Sequence, residues 1–203
     1  MQVTVFGAAG GTGRHVTGEA LAAGHEVTVL VRDPLTLGPT DPRVRVEVGD
    51  ARDPEVVARV ITGAQGVISA IGGRGMGRST AITDAMTTIV ACLPAGTRLL
   101  AVSTVGAGDS ASQFPRAVRM TVGVMLRNAI ADHNGQERAI MASELDWTIA
   151  RCVGLTDDPA GGDVHVLTEG KLGGSRIARA DVARWLVTNL DDATYSRQAV
   201  SLW

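Results

Sequence analysis

Gly7, Gly10 and Gly13 stand three residues apart, where the β-branched run Val3-Thr4-Val5-Phe6 ends and a stretch of helical composition, 12–23, begins. The chemistry this spacing suits is phosphate binding. Gly7 lets the chain turn sharply off a strand. Gly10 has no Cβ to stand where a pyrophosphate must lie, and Gly13 lets the helix pack close against the sheet. Free N–H groups at the helix start then face the negative charge. Three glycines alone are weak evidence, and a turn without a ligand is the alternative. The context favours a dinucleotide: a strand before, a helix after, and a second strand about 20 residues on. Gly7, Ala9, Gly10, Gly11, Thr12 and Gly13 are therefore candidate cofactor-binding residues.

The second signal lies where the second strand ends, at Val31-Arg32-Asp33. A carboxylate at that place accepts from the ribose 2′-hydroxyl of NAD, whereas a guanidinium suits a 2′-phosphate. Arg32 holds the place, so the expected cofactor is NADP(H). Asp33 comes one residue late and retains the capacity to take a hydroxyl. A solvated surface arginine is the plain alternative.

These residues need elements to position them. Buried strands are expected at 3–6, 26–31, 44–48, 66–71, 98–102 and 147–151. Helices are expected at 12–23, from Pro54 with Asp53 as cap, at 79–92, at 131–144, and at 181–190 with Asp181 as cap. Apolar strands alternating with helices at short spacing predict an α/β fold, a Rossmann-like, doubly wound parallel sheet covered on both faces. Two stretches break the rhythm. Residues 106–126 suit a flap or a short helix, and 156–179 hold a possible short strand, Val164-His165-Val166-Leu167. Both follow carboxyl ends of strands, where open α/β sheets bind ligands. The expectation is one domain over 1–203, with a small substrate lobe built from about 106–130 and 155–180.

Composition narrows the function. The 203 residues are 45% hydrophobic and 20% charged with a net charge of -2, which excludes a disordered chain and gives no reason to expect nucleic acid or an anionic membrane as partner. No apolar run approaches the roughly 20 residues of a membrane span. Cys92 and Cys152 lie far apart, without metal-ligand spacing, which fits a reduced compartment. The first residues show no signal-peptide core, so a cytoplasmic protein is expected. No metal site is expected, because none of His15, His25, His133 and His165 pairs at ligand spacing. His133, beside Asp132 and Asn134, suits a helix cap or a reach into a substrate pocket. Arg74 and Arg78 suit either an anionic substrate or a solvated loop. No Gly-x-Ser-x-Gly elbow offers a hydrolytic nucleophile.

The glycine run, His25 to Asp33, Gly49-Asp50 and Leu145-Asp146-Trp147-Thr148-Ile149 together resemble the atypical short-chain dehydrogenase/reductases. The nearest branch is the NmrA-like NAD(P)H-binding proteins that include the flavin and biliverdin reductases. The resemblance spans nearly the whole chain. It implies that Gly10, Gly11 and Thr12 cradle the pyrophosphate and that Arg32 holds the 2′-phosphate. Asp50 and Ala51 would border the adenine, and Ala70, Ile71 and Gly72 the ribose nearest the nicotinamide. Ser103 and Thr104 match a pair beside the nicotinamide and are the candidate catalytic residues, with Ser103 also a cofactor contact. Cys152 and Val153 would lie against the carboxamide edge, Cys152 standing where the branch has a histidine.

One departure bears on chemistry. Most short-chain dehydrogenases move a proton with a Tyr-x-x-x-Lys pair, whereas here the single tyrosine is Tyr195 and the single lysine is Lys171. The flavin reductase branch also lacks the pair. The expected activity is therefore NADPH-dependent hydride transfer to a small flat acceptor such as a flavin or quinone. The alternative is a non-catalytic NADP(H)-binding redox sensor of the NmrA type, acting on a protein partner.

Overall fold

The computed structural model describes residues 1–38, 40–73 and 77–203. In chain order the elements are β1 (Gln2–Phe6), α1 (Gly11–Ala22), β2 (Glu26–Val31), β3 (Val44–Val48), α2 (Pro54–Val60), β4 (Gly66–Ser69), α3 (Ala81–Cys92) and β5 (Arg98–Thr104). Then come α4 (Arg116–Met125), α5 (Arg127–Met141), β6 (Asp146–Cys152), β7 (Gly154–Thr156), β8 (Val166–Leu167), β9 (Arg176–Ala178), α6 (Arg179–Thr188) and β10 (Gln198–Leu202).

Eight strands form one sheet in the order β3-β2-β1-β4-β5-β6-β10-β8. All its pairings are parallel except that of β8 with β10. A second, two-stranded parallel sheet joins β7 to β9. This is the Rossmann-like α/β fold. After β3 the chain returns to the other side of β1 to form β4. That reversal opens a crevice at the carboxyl ends of β1 and β4, the place where such sheets bind ligands.

Alternate strand residues feed two cores. Val5, Val29, Ile68, Leu100 and Ala150 face one way and pack with Val16 of α1 and Leu186 of α6. Phe6, Leu30, Val67, Leu99 and Ile149 face the other way and pack with Val57 of α2, Met86 and Ile89 of α3 and Ile140 of α5. The two-residue period of a strand makes this division, and because both faces are covered the strands carry apolar residues at almost every position. Fully burying a side chain such as Phe6 contributes on the order of 1.5–3 kcal/mol.

Several details depart from the sequence expectations. Helix α6 begins at Arg179 with Ala178 at its cap position, so Asp181 lies in the first turn instead. Its buried carboxylate accepts from the N–H groups of Gly161 and Gly162 and pairs with Arg184, which ties the preceding loop to the helix. Helix α5 starts at Arg127, four residues before the expected 131, because the chain passes from α4 through Leu126 without a break. Residues 106–126 form a 3-10 turn, Ser110–Gln113, and the ten-residue α4. Strands β7, β9 and β10 were not expected. No helix among the described residues is long and apolar enough to cross a membrane.

Candidate functional site

The crevice is a cleft of about 640 Å³. Its floor is the glycine loop. Gly7 has φ +80°, and a Cβ there would sit 2.6 Å from the Ala70 carbonyl, so both backbone conformation and close approach demand glycine. The Gly10 N–H donates to the Gly7 carbonyl at 2.9 Å and closes the turn. Gly10 then caps α1 in an extended conformation, with no side chain bonded to the first helical N–H groups. Those donors are what a phosphate would meet. A Cβ on Gly10 would lie 3.2 Å from the Gly7 oxygen and 4.0 Å from that of Ala70, a tight approach to the backbone of the turn. A Cβ on Gly13 would run into the Gly7 carbonyl, so Gly13 serves the packing of α1 and does not line the cleft. Gly7, Ala9, Gly10, Gly11 and Thr12 do line it.

The β2 and β3 ends form one wall. The Gly49 N–H donates to the Val31 carbonyl at 2.9 Å, which sets Arg32 beside Asp50. Arg32 is exposed, lines the cleft, and makes no hydrogen bond to the described residues. Asp50 is bonded by Arg52 Nε at 3.0 Å and Nη2 at 2.6 Å. That pairing, with a lesser pull from Arg32, holds its carboxyl down at about 2. Asp33, the other candidate for a ribose contact, already accepts from the Leu35 N–H at 2.9 Å and caps the turn that follows. Asp50 and Ala51 line this wall, and Ala70, Ile71 and Gly72 the opposite one beyond β4.

Ser103, Thr104, Cys152 and Val153 do not line the cleft, although β5 and β6 end at the same edge of the sheet. Ser103 is buried, and its hydroxyl donates to Glu137 Oε1 at 2.6 Å. Glu137 is in turn bonded by Arg151 Nε at 3.0 Å and Nη2 at 2.7 Å, and Arg151 Nη1 reaches Asp109. Burial alone would lower the Arg151 pKa, but the bonds and charges of Glu137 and Asp109 together outweigh it and the shift is upward. Thr104 is half-buried, with its hydroxyl 3.3 Å from the Val105 carbonyl. The Cys152 thiol is enclosed, and burial pushes its pKa up to about 12, which removes it as a nucleophile.

His133 is neither a cap nor part of the cleft. It bonds Gln136 at 3.0 Å, burial lowers its pKa, and the Gln136 amide donates to the Val102 carbonyl. Asp132 does cap, but it caps α3, accepting from the N–H groups of Ile82 and Thr83. Arg78 is exposed, and Arg74 lies outside the described residues. Among the described residues no group of three or more His, Cys, Asp and Glu could hold a metal. A second depression of about 410 Å³, at the far ends of α1 and α6, is lined by His25, Arg184 and Asp191 and lacks a phosphate cradle.

The structure adds residues that sequence reasoning missed. Thr36, Arg52, Ser79, Leu155 and Arg179 all line the cleft. Arg179 lies across the glycine loop, where a Cβ on Gly11 would be 2.9 Å from its Cδ and Nε. Its residue type carries a signal, but only the crossing of α6 over the sheet brings it to the loop.

The chain is similar to a short-chain dehydrogenase/reductase from Veillonella parvula at 23% identity and a TM-score of 0.83, covering 99% of this chain and 93% of that one. A second structure of a Veillonella parvula short-chain dehydrogenase/reductase, in complex with NADP, matches at 21% identity and a TM-score of 0.81, with 99% and 93% covered. The anaerobillin reductase ChuY from Escherichia coli O157:H7 matches at 27% identity and a TM-score of 0.79, covering 100% and 96%. The NAD(P)H-binding resemblance read from the sequence is borne out. The sequence model of the NAD(P)H-binding family matches residues 7–193, and this chain belongs to that family.

Proposed function

We propose that this protein is an NADPH-dependent reductase that passes a hydride to a flat acceptor of the flavin or quinone class. The observation that carries the cofactor choice is Arg32, an exposed guanidinium without a hydrogen bond to the described residues, at the β2 end of a cleft floored by uncapped helix donors. Bound there, the dinucleotide would supply the hydride. The protein's part is to hold its phosphates on Gly10, Gly11 and Thr12, to take the 2′-phosphate on Arg32, and to set the ribose against Ala70, Ile71 and Gly72. Half-buried Thr104, at the end of β5, would face the nicotinamide end, with buried Ser103, Cys152 and Val153 at the ends of β5 and β6 supporting that edge. The stretches 106–130 and 155–180 would cover the acceptor as a substrate lobe. The neighbours support this reading: one is named a reductase, and another was solved with NADP.

The acceptor class follows from what is missing. With Tyr195 and Lys171 as the only residues of their types, no Tyr-x-x-x-Lys pair exists to move a proton in step with a hydride. Flavins and quinones need little such help, since solvent or the Thr104 hydroxyl can protonate a stabilised anion. A sensor is the second reading. It is favoured by the engagement of the Ser103 hydroxyl with Glu137, which leaves that group no free proton for an acceptor. Following NADPH absorbance with FMN and with a soluble benzoquinone separates the two. Turnover with either supports the reductase. Tight NADPH binding with no turnover on a broad acceptor panel overturns it in favour of the sensor.

A further inference from the structure

The segment after β7 and the first turn of α6 meet over the phosphate cradle. Thr156 pairs with Ala178 in the two-stranded sheet, so the next residues, Asp157 and Arg179, leave that sheet side by side. Arg179 Nη1 donates to Asp157 Oδ1 at 2.7 Å. The two side chains are unequally placed: that of Asp157 is 85% exposed, whereas that of Arg179 is 25% exposed. The arginine stem is laid over Gly11. Its charge therefore sits at the rim of the cleft, held by a carboxylate that points into water. A pair of this kind contributes little to stability, because solvent screens it and holding both side chains costs entropy. A diphosphate below it carries more charge and offers bidentate geometry to a guanidinium.

Taking the cleft as the dinucleotide site, we propose that Arg179 is a clasp for the pyrophosphate and that Asp157 is its counter-ion when no dinucleotide is bound. Binding exchanges the Asp157 carboxylate for the pyrophosphate oxygens. It thereby frees the Asp157 end of the segment after β7, while Asp181 still ties Gly161 and Gly162 to α6, so cofactor loading is felt between Asp157 and Gly161. Arg179 acts on a group that NADPH and NADH share. Arg32 acts on a group that only NADPH carries. The two arginines therefore have separable signatures.

The test is calorimetric titration of the full chain at low salt with NADPH and NADH, and an NMR titration with 2′-AMP, which has the 2′-phosphate but no pyrophosphate. Arg179→Met keeps the stem over Gly11 and removes the charge. It is expected to weaken both dinucleotides equally, by roughly tenfold, and to leave 2′-AMP unchanged. Asp157→Asn removes the competitor and is expected to tighten both dinucleotides a few-fold in the wild-type background, with no effect when combined with Arg179→Met. Wild-type affinity for both dinucleotides in Arg179→Met, or a loss confined to NADPH, overturns the clasp. So does a weakening of both dinucleotides by Asp157→Asn. If Arg179→Met fails to fold, the exposed Asp157→Asn variant still decides. Failure of the wild type to bind either dinucleotide would instead overturn the underlying reading of the cleft.

Discussion

At the scale of single residues, cofactor choice rests on Arg32. A charge-assisted, bidentate contact from a partly exposed guanidinium to the 2′-phosphate contributes about 1.5–3 kcal/mol, which is roughly tenfold to a hundredfold in affinity. Arg32→Ala is expected to weaken NADPH by that factor and to leave NADH almost unchanged, as parallel titrations would read. Equal weakening of both would remove Arg32 as the discriminator. It would not promote Asp33 easily, because that carboxylate is already bonded to the Leu35 N–H. Gly10 gives a second test. Its missing Cβ would lie 3.2 Å from the Gly7 carbonyl oxygen, so a side chain there crowds the turn as well as the cradle. Gly10→Val is expected to abolish dinucleotide binding, with a thermal melt separating loss of the cradle from loss of the fold. Retained NADPH binding would mean that the pyrophosphate lies elsewhere.

At the scale of elements, α5 is fastened to the sheet by charge as well as by packing. Glu137 accepts from Ser103 on β5 and from Arg151 on β6, and Arg151 is only 3% exposed. Removing the carboxylate would leave the buried guanidinium with only the exposed Asp109 as a charged partner, at a cost of up to about 3–5 kcal/mol. Glu137→Ala is expected to lower the melting temperature by roughly 6–20 °C, taking about 2–4 °C per kcal/mol for a chain of this size. A drop of a degree or less would show that water or Asp109 compensates. Tyr195 lies before β10, its ring tilted against Trp185 of α6 with centroids 5.5 Å apart, and away from the cleft. Tyr195→Phe should leave NADPH oxidation within about twofold of wild type, and a hundredfold loss would reveal a catalytic tyrosine. These elements also show what the sequence made legible. Val3 to Phe6 and Glu26 to Val31 announce buried strands by composition and by the glycines that stop them. The Asp53-Pro54 start of α2 is legible because its cap is local, with the Asp53 carboxylate accepting from the Glu55 N–H. Strands β7 and β9 are three residues each and exist through a pairing across about twenty residues, which no local pattern encodes. Arg179 over Gly11 and Glu137 between Ser103 and Arg151 are contacts of the same non-local kind. The residue type of Asp181 favours a cap, but its carboxylate binds the loop at Gly161 and Gly162 instead.

At the scale of the whole molecule, the sheet order places one cation-rimmed cleft on a chain whose net charge is -2. Arg32, Arg52 and Arg179 surround it, with Asp50 as the acidic residue among its lining groups. No histidine among the described residues lines the cleft. Arginines stay protonated throughout the usual range, and Asp50, with its carboxyl held at about 2, stays ionised above pH 4. Among the described residues that line the cleft, none therefore titrates between pH 5 and pH 8. The ligand does, since the second ionisation of a phosphate monoester falls near pH 6. If Arg32 prefers the dianion, binding takes up no proton above that value and must compete with protonation below it. NADPH affinity is then expected to be flat from pH 7 to 8 and to fall on acidification, by at most about tenfold per pH unit below 6. NADH lacks the 2′-phosphate and should show no such fall. Arg32→Ala should flatten the NADPH profile toward that of NADH, which separates a local contact from a general loss of structure in acid. Titrations of both dinucleotides at pH 5, 6, 7 and 8 make the measurement. Parallel profiles for NADPH and NADH in the wild type would show that the 2′-phosphate is not held by a fixed charge, and would move the basis of cofactor recognition from Arg32 to the glycine cradle alone.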